Sequence, residues 1–279
     1  MKIVFFGSSR YVIPIIQALK SVKSFNLVLV VTTEKNPSDP ILHFCYKNKI
    51  KYISATSLNN SIVIGQLLKA NCQLAILAYF GLIIPQKVLK IFSKGIINIH
   101  PSLLPKYRGP TPVQNAILDG EKVTGVTLIK LDEKVDHGPI LVQQEEKIDS
   151  DDTADSLYKK LFEIGADLIY QNIKQYIKGD LKPAKQDHSK ATLMKLLYKN
   201  GGLINFDNPP SHVRIDRMIR AFYPWPGVFF KYKLDNKEKI IKLLPKNKIQ
   251  VEGKNPMSHK DFMNGYSQGE EILKKLNLS

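Results

Sequence analysis

Cysteine is almost missing from this chain. Cys45 and Cys72 are the only two in 279 residues, and their spacing fits neither a disulfide framework nor a metal-ligand set. That usage suits a reducing compartment, and we expect the protein in the cytoplasm with both thiols in the core. Long apolar runs are missing too: no stretch reaches the roughly eighteen residues of a membrane helix, so no membrane partner is expected. The opening MKIVFFGSSR reads as a strand and turn, without the long apolar stretch and small-residue cleavage site of a secretory leader. Glycine is scarce where one large cofactor class would need it. The first strand-to-helix turn, GSSRY, holds a single glycine, whereas a dinucleotide-binding turn needs three, which disfavours nicotinamide chemistry. Ser8, Ser9 and Arg10 in that turn fit either a helix cap or an anion contact. There is no internal repeat.

Acidic residues are in short supply. Asp and Glu number 25 against 41 Lys and Arg, a formal net charge of +16. A surplus this large favours polyanionic partners such as nucleic acid or phosphorylated substrates; a lysine-rich proteome would leave the same mark. The excess is uneven. From Lys182 onward 19 basic residues face 9 acidic ones, which points to the C-terminal third as the electrostatic footprint.

Hydrophobic residues make up 43 %, enough for a sizeable core. The runs KIVFFG, FNLVLVVTT, KYISA, LAILAYF and GIINIH read as strands at 2–7, 25–33, 51–55, 74–80 and 95–100. They are continuous rather than alternating, as strands covered on both faces are. Helical patterns at 11–21, 41–48, 61–70 and 85–92 separate them, so we expect an open, Rossmann-like, mostly parallel α/β sheet. Strands at 124–132 and 138–148 should form an antiparallel hairpin. A long helix follows, with Leu157, Leu161, Ile164, Leu168 and Ile173 on one face and Gly179 as its stop. Residues 180–190 are polar and patternless. Beyond them lie a helix at 210–220, three strands at 228–234, 239–244 and 248–253, a helix at 256–266 and a thin tail. We expect three parts: 1–179, a linker at 180–202, and a small β-rich, partial-barrel domain at 203–279.

The stretch NIHPSLLPKYRGPTP stands out, with four prolines and one glycine in fifteen residues directly after a buried strand. Asn98 and His100 sit at that strand's carboxyl end, where open α/β sheets bind ligands, and their i, i+2 spacing points both to one face. An amide and an imidazole that converge suit an oxygen that becomes negative during reaction. A nearby carboxylate must orient the imidazole. Asp136, in the hairpin loop, is the best placed; Asp132 and Glu133 read as solvated and His137 as a loop histidine. The prolines would hold the following backbone as a rigid wall. On residue chemistry alone, a turn asparagine and a satisfied core histidine remain open.

INIHPSLLPKYRG and TGVTLIKLDEKVDHGPIL together resemble the folate-dependent formyltransferase family, and the likeness covers most of residues 1–179. The resemblance implies that Asn98, His100 and Asp136 are catalytic. It implies folate contacts by Ser102, Leu103, Leu104 and Pro105, and by the LAYFGLIIP stretch through Leu77, Tyr79 and Gly81, largely through the backbone. It further implies 10-formyltetrahydrofolate as co-substrate, tetrahydrofolate as product, no metal, and transfer of the formyl group to a primary amine. RGPTPVQNAI and IRAFYPWPGVFF are similar to the branch of the family that acts on methionyl initiator tRNA in translation initiation, and in that branch the C-terminal domain contacts tRNA. A monomer is expected. An amino-sugar N-formyltransferase is the alternative within the family, and a silent RNA-binding relative lies outside it. Two departures from the branch stand out: the loop TTEKNPSDP at 32–40 is short with one lysine, and the C-terminal domain is small.

Overall fold

The structure, a computed structural model, describes residues 1–234 and 237–278. The chain divides into two compact units. The first comprises Met1–Pro112, Val123–Lys147 and Tyr158–Met194; the second comprises Val113–Lys122, Ile148–Leu157 and Lys195–Ser279.

The first unit is built on a seven-stranded sheet. Its strands are β1 (Lys2–Gly7), β2 (Asn26–Thr32), β3 (Tyr52–Ser54), β4 (Leu74–Ala78), β5 (Ile96–His100), β6 (Val123–Lys130) and β7 (Ile140–Lys147), in the order β3-β2-β1-β4-β5-β6-β7. β1 to β5 run parallel. β6 and β7 are antiparallel, as the short connection between them requires. β4 and β5 are buried at every residue, which explains their unbroken apolar sequences.

The helices are α1 (Ile13–Ser21), α2 (Pro40–Lys47), α3 (Ser61–Ala70), α4 (Gln86–Leu89), α5 (Pro112–Asp119) and α6 (Ala154–Lys178). Asp39 and Asn60 start α2 and α3 by accepting the N–H groups of Ile41 and Ile62. Val4, Phe6, Leu29, Val31, Ala75, Leu77 and Ile96 form one core face with Leu67 of α3 and Val88 of α4. α6 crosses the opposite face. It comes so close at Gly165 that a Cβ there would stand 2.6 Å from the Ile99 side chain. Asn98 and His100 alternate with Ile97 and Ile99, so they share the face of Ile96, away from α6.

Three elements depart from the sequence expectation. α5 lies in a region read only as a rigid loop. Its first residue is Pro112, at a position where a helix needs no N–H, and Val113, Ala116 and Ile117 supply a buried helical stripe. The segment expected as the first part of a linker is laid onto the first unit through Met194, with Ala184 and Ile140 exchanging both backbone hydrogen bonds at 2.8 Å. The expected thin tail instead holds a helix.

The second unit carries an antiparallel sheet of β8 (Val228–Leu234), β9 (Lys237–Leu244), β10 (Lys248–Val251) and the short β11 (Met257–Ser258), in the order β11-β10-β9-β8. Its inward residues Val228, Phe230, Ile241, Leu243, Ile249 and Val251 are buried, while Lys231, Lys233, Lys242 and Lys248 are exposed, a period-two pattern. α7 (His212–Ala221), α8 (His259–Gly265) and α9 (Gly269–Lys275) complete it. α9 exists because Ile272, Leu273 and Leu276 are fully buried, a stripe too short to stand out in the sequence. The arginines of α7, beside the aromatic block, are engaged within this unit. Arg214 and Arg217 donate to the Leu118 and Asp119 carbonyls at the end of α5, and Arg220 to Asp152 O. Cations at a helix C-terminus satisfy its unpaired carbonyls.

Candidate active site

Asn98, His100 and Asp136 meet. β5 holds the first two in register with β4 and β6, where Asn98 lies beside Leu77 and Ile129, and His100 opposite Thr127. Asp136 comes from the turn between β6 and β7 and takes a left-handed backbone at φ 47°. That conformation is strained for a non-glycine residue and persists only where its surroundings enforce it. The Asp136 carboxylate is the hub. Its Oδ1 accepts from Asn98 Nδ2 at 3.0 Å, and its Oδ2 accepts from the Gly109 N–H at 2.8 Å and faces His100 Nδ1 at 3.5 Å. His100 Nε2 stands 2.9 Å from the Tyr107 carbonyl, which can only accept, so Nε2 carries a hydrogen. Asn98, His100 and Asp136 are 6 %, 4 % and 8 % exposed, so this is a buried polar cluster rather than a solvated loop end.

Gly138 completes the Asp136-x-Gly138 pattern for a steric reason. A Cβ there would fall 1.9 Å from the Lys130 carbonyl oxygen, so a side chain at this position would displace the turn that carries Asp136.

The proline-rich loop folds back over the same sheet face, held from below and from the side. Thr127 Oγ1 donates to Ser102 O at 2.6 Å and accepts from Leu104 N at 3.1 Å, while Gln143 Nε2 reaches Leu104 O at 2.7 Å. Ser102 Oγ donates to Lys106 O. Ser102 and Leu104 are buried; Leu103 and Pro105 are half-buried. Leu77, next to Asn98, is buried in the core face that carries the trio, and Gly81 is exposed with no atom near its missing side chain.

Tyr79 behaves differently. Its φ of 47° breaks the alternation of β4, so its ring joins Tyr11, Tyr158 and Phe162 rather than following Leu77, and its carbonyl accepts Ser8 N–H at 3.0 Å. Burial, with Glu34 nearby, holds its phenol above the ordinary range. At the carboxyl ends of β1 and β2, Ser8 Oγ bonds the hydroxyls of Thr33 at 2.6 Å and Thr32 at 3.3 Å.

Several residues close to the trio drew no site role from the sequence. Arg108 is buried; its Nη2 donates to Gln186 Oε1 at 2.6 Å and to His188 Nδ1 at 2.8 Å. Gln186 Nε2 donates to Asp136 O at 2.9 Å and Gly138 O at 2.7 Å. His137, read as a plain loop residue, stacks on His188 with ring centroids 3.9 Å apart, and its Nδ1 lies 2.6 Å from Asp132 Oδ2. Lost hydration, with the charges of His137 and Arg108, pushes the His188 imidazole below its ordinary range, which keeps Nδ1 free to accept. Thr192 anchors the loop through its hydroxyl to Tyr107 N at 2.7 Å. Gln186, His188 and Thr192 lie some 80 residues from the loop they hold, so no local pattern announces them.

Among the described residues no group of three or more His, Cys, Asp or Glu is placed to hold a metal ion, and no helix is long and apolar enough to cross a membrane.

Residues 1–173 match the formyl transferase family and residues 196–248 its C-terminal domain, so the chain belongs to that family. Within it, the chain is 36 % identical over 235 residues to the methionyl-tRNA formyltransferase of Roseiflexus sp., covering 81 % of this chain and 72 % of the relative. It is 33 % identical over 309 aligned positions to the methionyl-tRNA formyltransferase of Caldicellulosiruptor saccharolyticus, covering 95 % and 97 %. Among solved structures, a sugar N-formyltransferase from Shewanella shares the fold, with a TM-score of 0.70 at 20 % identity over 88 % of this chain and 98 % of that one. The phosphoribosylglycinamide formyltransferase of Bacillus halodurans matches 64 % of this chain and 97 % of its own, with a TM-score of 0.57 and 25 % identity.

Proposed function

We propose that the protein transfers the formyl group of 10-formyltetrahydrofolate to the α-amino group of methionyl initiator tRNA, in the cytoplasm, with tetrahydrofolate as the other product. Relatives at 33–38 % identity that carry the methionyl-tRNA formyltransferase name support the substrate. The observation that carries the chemistry is the single carboxylate of Asp136 shared by the Asn98 amide and the Gly109 N–H and facing the His100 ring, at the carboxyl edge of the sheet.

In the reaction the amine nitrogen bonds to the formyl carbon, the bond from that carbon to the folate nitrogen breaks, and the amine's proton must reach the leaving nitrogen. Negative charge builds on the formyl oxygen during attack. The second Nδ2–H of Asn98 is the neighbouring donor left to meet it, and the His100 ring adds another once its Nε2–H turns from the Tyr107 carbonyl to the substrate; in a buried site such donors act strongly. The Asp136 carboxylate orients both and is the group placed to accept and hand on the amine proton. The Ser102–Pro105 backbone, fixed by Thr127 and Gln143, supplies a firm wall on which the folate would rest, with Leu103 and Pro105 partly open and the core apolar at Leu77. Gly81 leaves room beside it for an approaching ring.

Incubation with 10-formyltetrahydrofolate and charged initiator tRNA should yield formylmethionine after deacylation. A protein that leaves the charged tRNA unformylated while formylating a nucleotide-linked amino sugar refutes the reading.

A further inference from the structure

We propose that Gln186 is a positioning residue for Asp136, acting through the backbone of the turn that presents the carboxylate; this rests on the formyl-transfer reading of the site. The Gln186 amide is buried and its orientation is fixed by its neighbours. Both N–H bonds are spent on carbonyls, Asp136 O at 2.9 Å and Gly138 O at 2.7 Å, and its oxygen receives Arg108 Nη2 at 2.6 Å. The reversed amide would set oxygen against two carbonyl oxygens and NH2 against a guanidinium, so one rotamer alone satisfies all three partners.

One side chain therefore ties the carbonyls of Asp136 and Gly138, on either side of His137, to the loop that packs against His100. Asp136 needs such a tie. Its backbone sits at φ 47°, a left-handed turn conformation that aspartate adopts at a modest cost, and a tie from outside the turn fixes where that conformation puts the carboxylate. The segment that carries Gln186 is itself pinned on both sides. Ala184 is paired with Ile140 ahead of it, and behind it Arg108 N donates to Thr192 O while Met194 N donates to Arg108 O, both at 2.8 Å. Gln186 thus touches none of the reacting atoms but sets where the carboxylate stands relative to Asn98, His100 and Gly109.

The test uses the full-length protein and four variants: Gln186→Met, which keeps the length and loses every hydrogen bond; Gln186→Glu, which keeps the acceptor for Arg108 and loses both donors; Asp136→Asn; and Gln186→Met combined with Asp136→Asn. Both Gln186 variants should lower kcat about 10- to 100-fold, the scale of an ångström-sized misplacement, with KM for the folate donor within about twofold of wild type. In the Asp136→Asn background Gln186→Met should cost almost nothing further, because the group it positions is already gone. The His100 ring 15N resonances, recorded without any substrate, should move in both Gln186 variants. Near wild-type kcat with unmoved ring resonances overturns the proposal, as does a double variant whose loss is the product of the two single losses. A wild-type protein that forms no formylated product refutes the formyl-transfer reading instead, and the ring resonances then still decide the role of Gln186.

Discussion

Asp136→Asn changes one atom and separates the two jobs of this carboxylate. Two donors hold it, Asn98 Nδ2 and Gly109 N, and the His100 ring faces it through Nδ1 at 3.5 Å. An asparagine offers one oxygen in place of two. Gly109 N–H is backbone and cannot turn, so the oxygen will stay with Gly109, and the new NH2 will face Asn98. Asn98 can answer by turning its own amide over. The contact between the two side chains is then kept with its direction reversed, and the exchange of a charged acceptor for a neutral one costs about 1 to 2 kcal/mol over the two bonds. In a protein of this size that lowers the melting temperature by about 2 to 4 °C per kcal/mol, far from unfolding it. The chemistry should suffer more. The carboxylate opposite His100 is lost, and the turned Asn98 presents an oxygen where a donor is needed. A fall in kcat of about 100- to 1,000-fold is expected, which is about 2.7 to 4 kcal/mol of transition-state stabilisation. Single-turnover formylation of methionyl-tRNA and calorimetry on the same preparation measure both. A variant that loses the expected few degrees yet keeps kcat within about threefold of wild type would falsify the catalytic assignment, because the carboxylate would then only be holding a loop.

Gly138→Ala should be disruptive for a methyl group: with Lys130 O 1.9 Å from the new Cβ, the turn must move, at about 1 to 3 kcal/mol by denaturant unfolding, and kcat should fall with it. An alanine variant as stable and as active as wild type sinks the steric account. Pro105→Gly should weaken binding of a folate analogue in calorimetry while the fold persists, since the wall gains freedom at that position; unchanged affinity means that this loop is not the wall. Affinity for tRNA should fall with salt at a log–log slope of roughly −3 to −4, the value for about 4 to 5 neutralised phosphates, and a flat response counts against a tRNA substrate. Burial pushes the His259 imidazole below its ordinary value of 6.5, against the raising effect of the Leu278 carbonyl it bonds. The unfolded chain then takes up a proton that the folded one refuses, so stability should drop as pH falls through about 6.5, and His259→Gln should flatten that slope. Wild type and variant with the same slope would show that another group titrates.

Continuous apolar runs separated by helical patterns were enough to draw the parallel sheet, because strand burial on both faces is written into consecutive residues. The pairing of Asn98 with His100 was equally legible, since an i, i+2 spacing at a strand end fixes a shared face whatever surrounds it. The choice of Asp136 could be argued from hairpin geometry, which is also local. What the sequence could not carry was the depth of the site. Spacing alone does not say how far Asn98, His100 and Asp136 lie from solvent; folded under the 101–112 loop they are almost fully buried, so stability must respond to their replacement. Tyr79 belongs to the same class of surprise, since a single left-handed residue sends its ring away from Leu77. The polar stretch after Gly179 looked like a linker because nothing in it repeats. Its Gln186, His188 and Thr192 matter through a few side-chain hydrogen bonds to groups some 50 to 85 residues away, and isolated long-range bonds leave no periodicity behind. Period and local spacing are properties of neighbouring residues, whereas the supports of Asp136 come from chain that only tertiary folding brings within 3 Å.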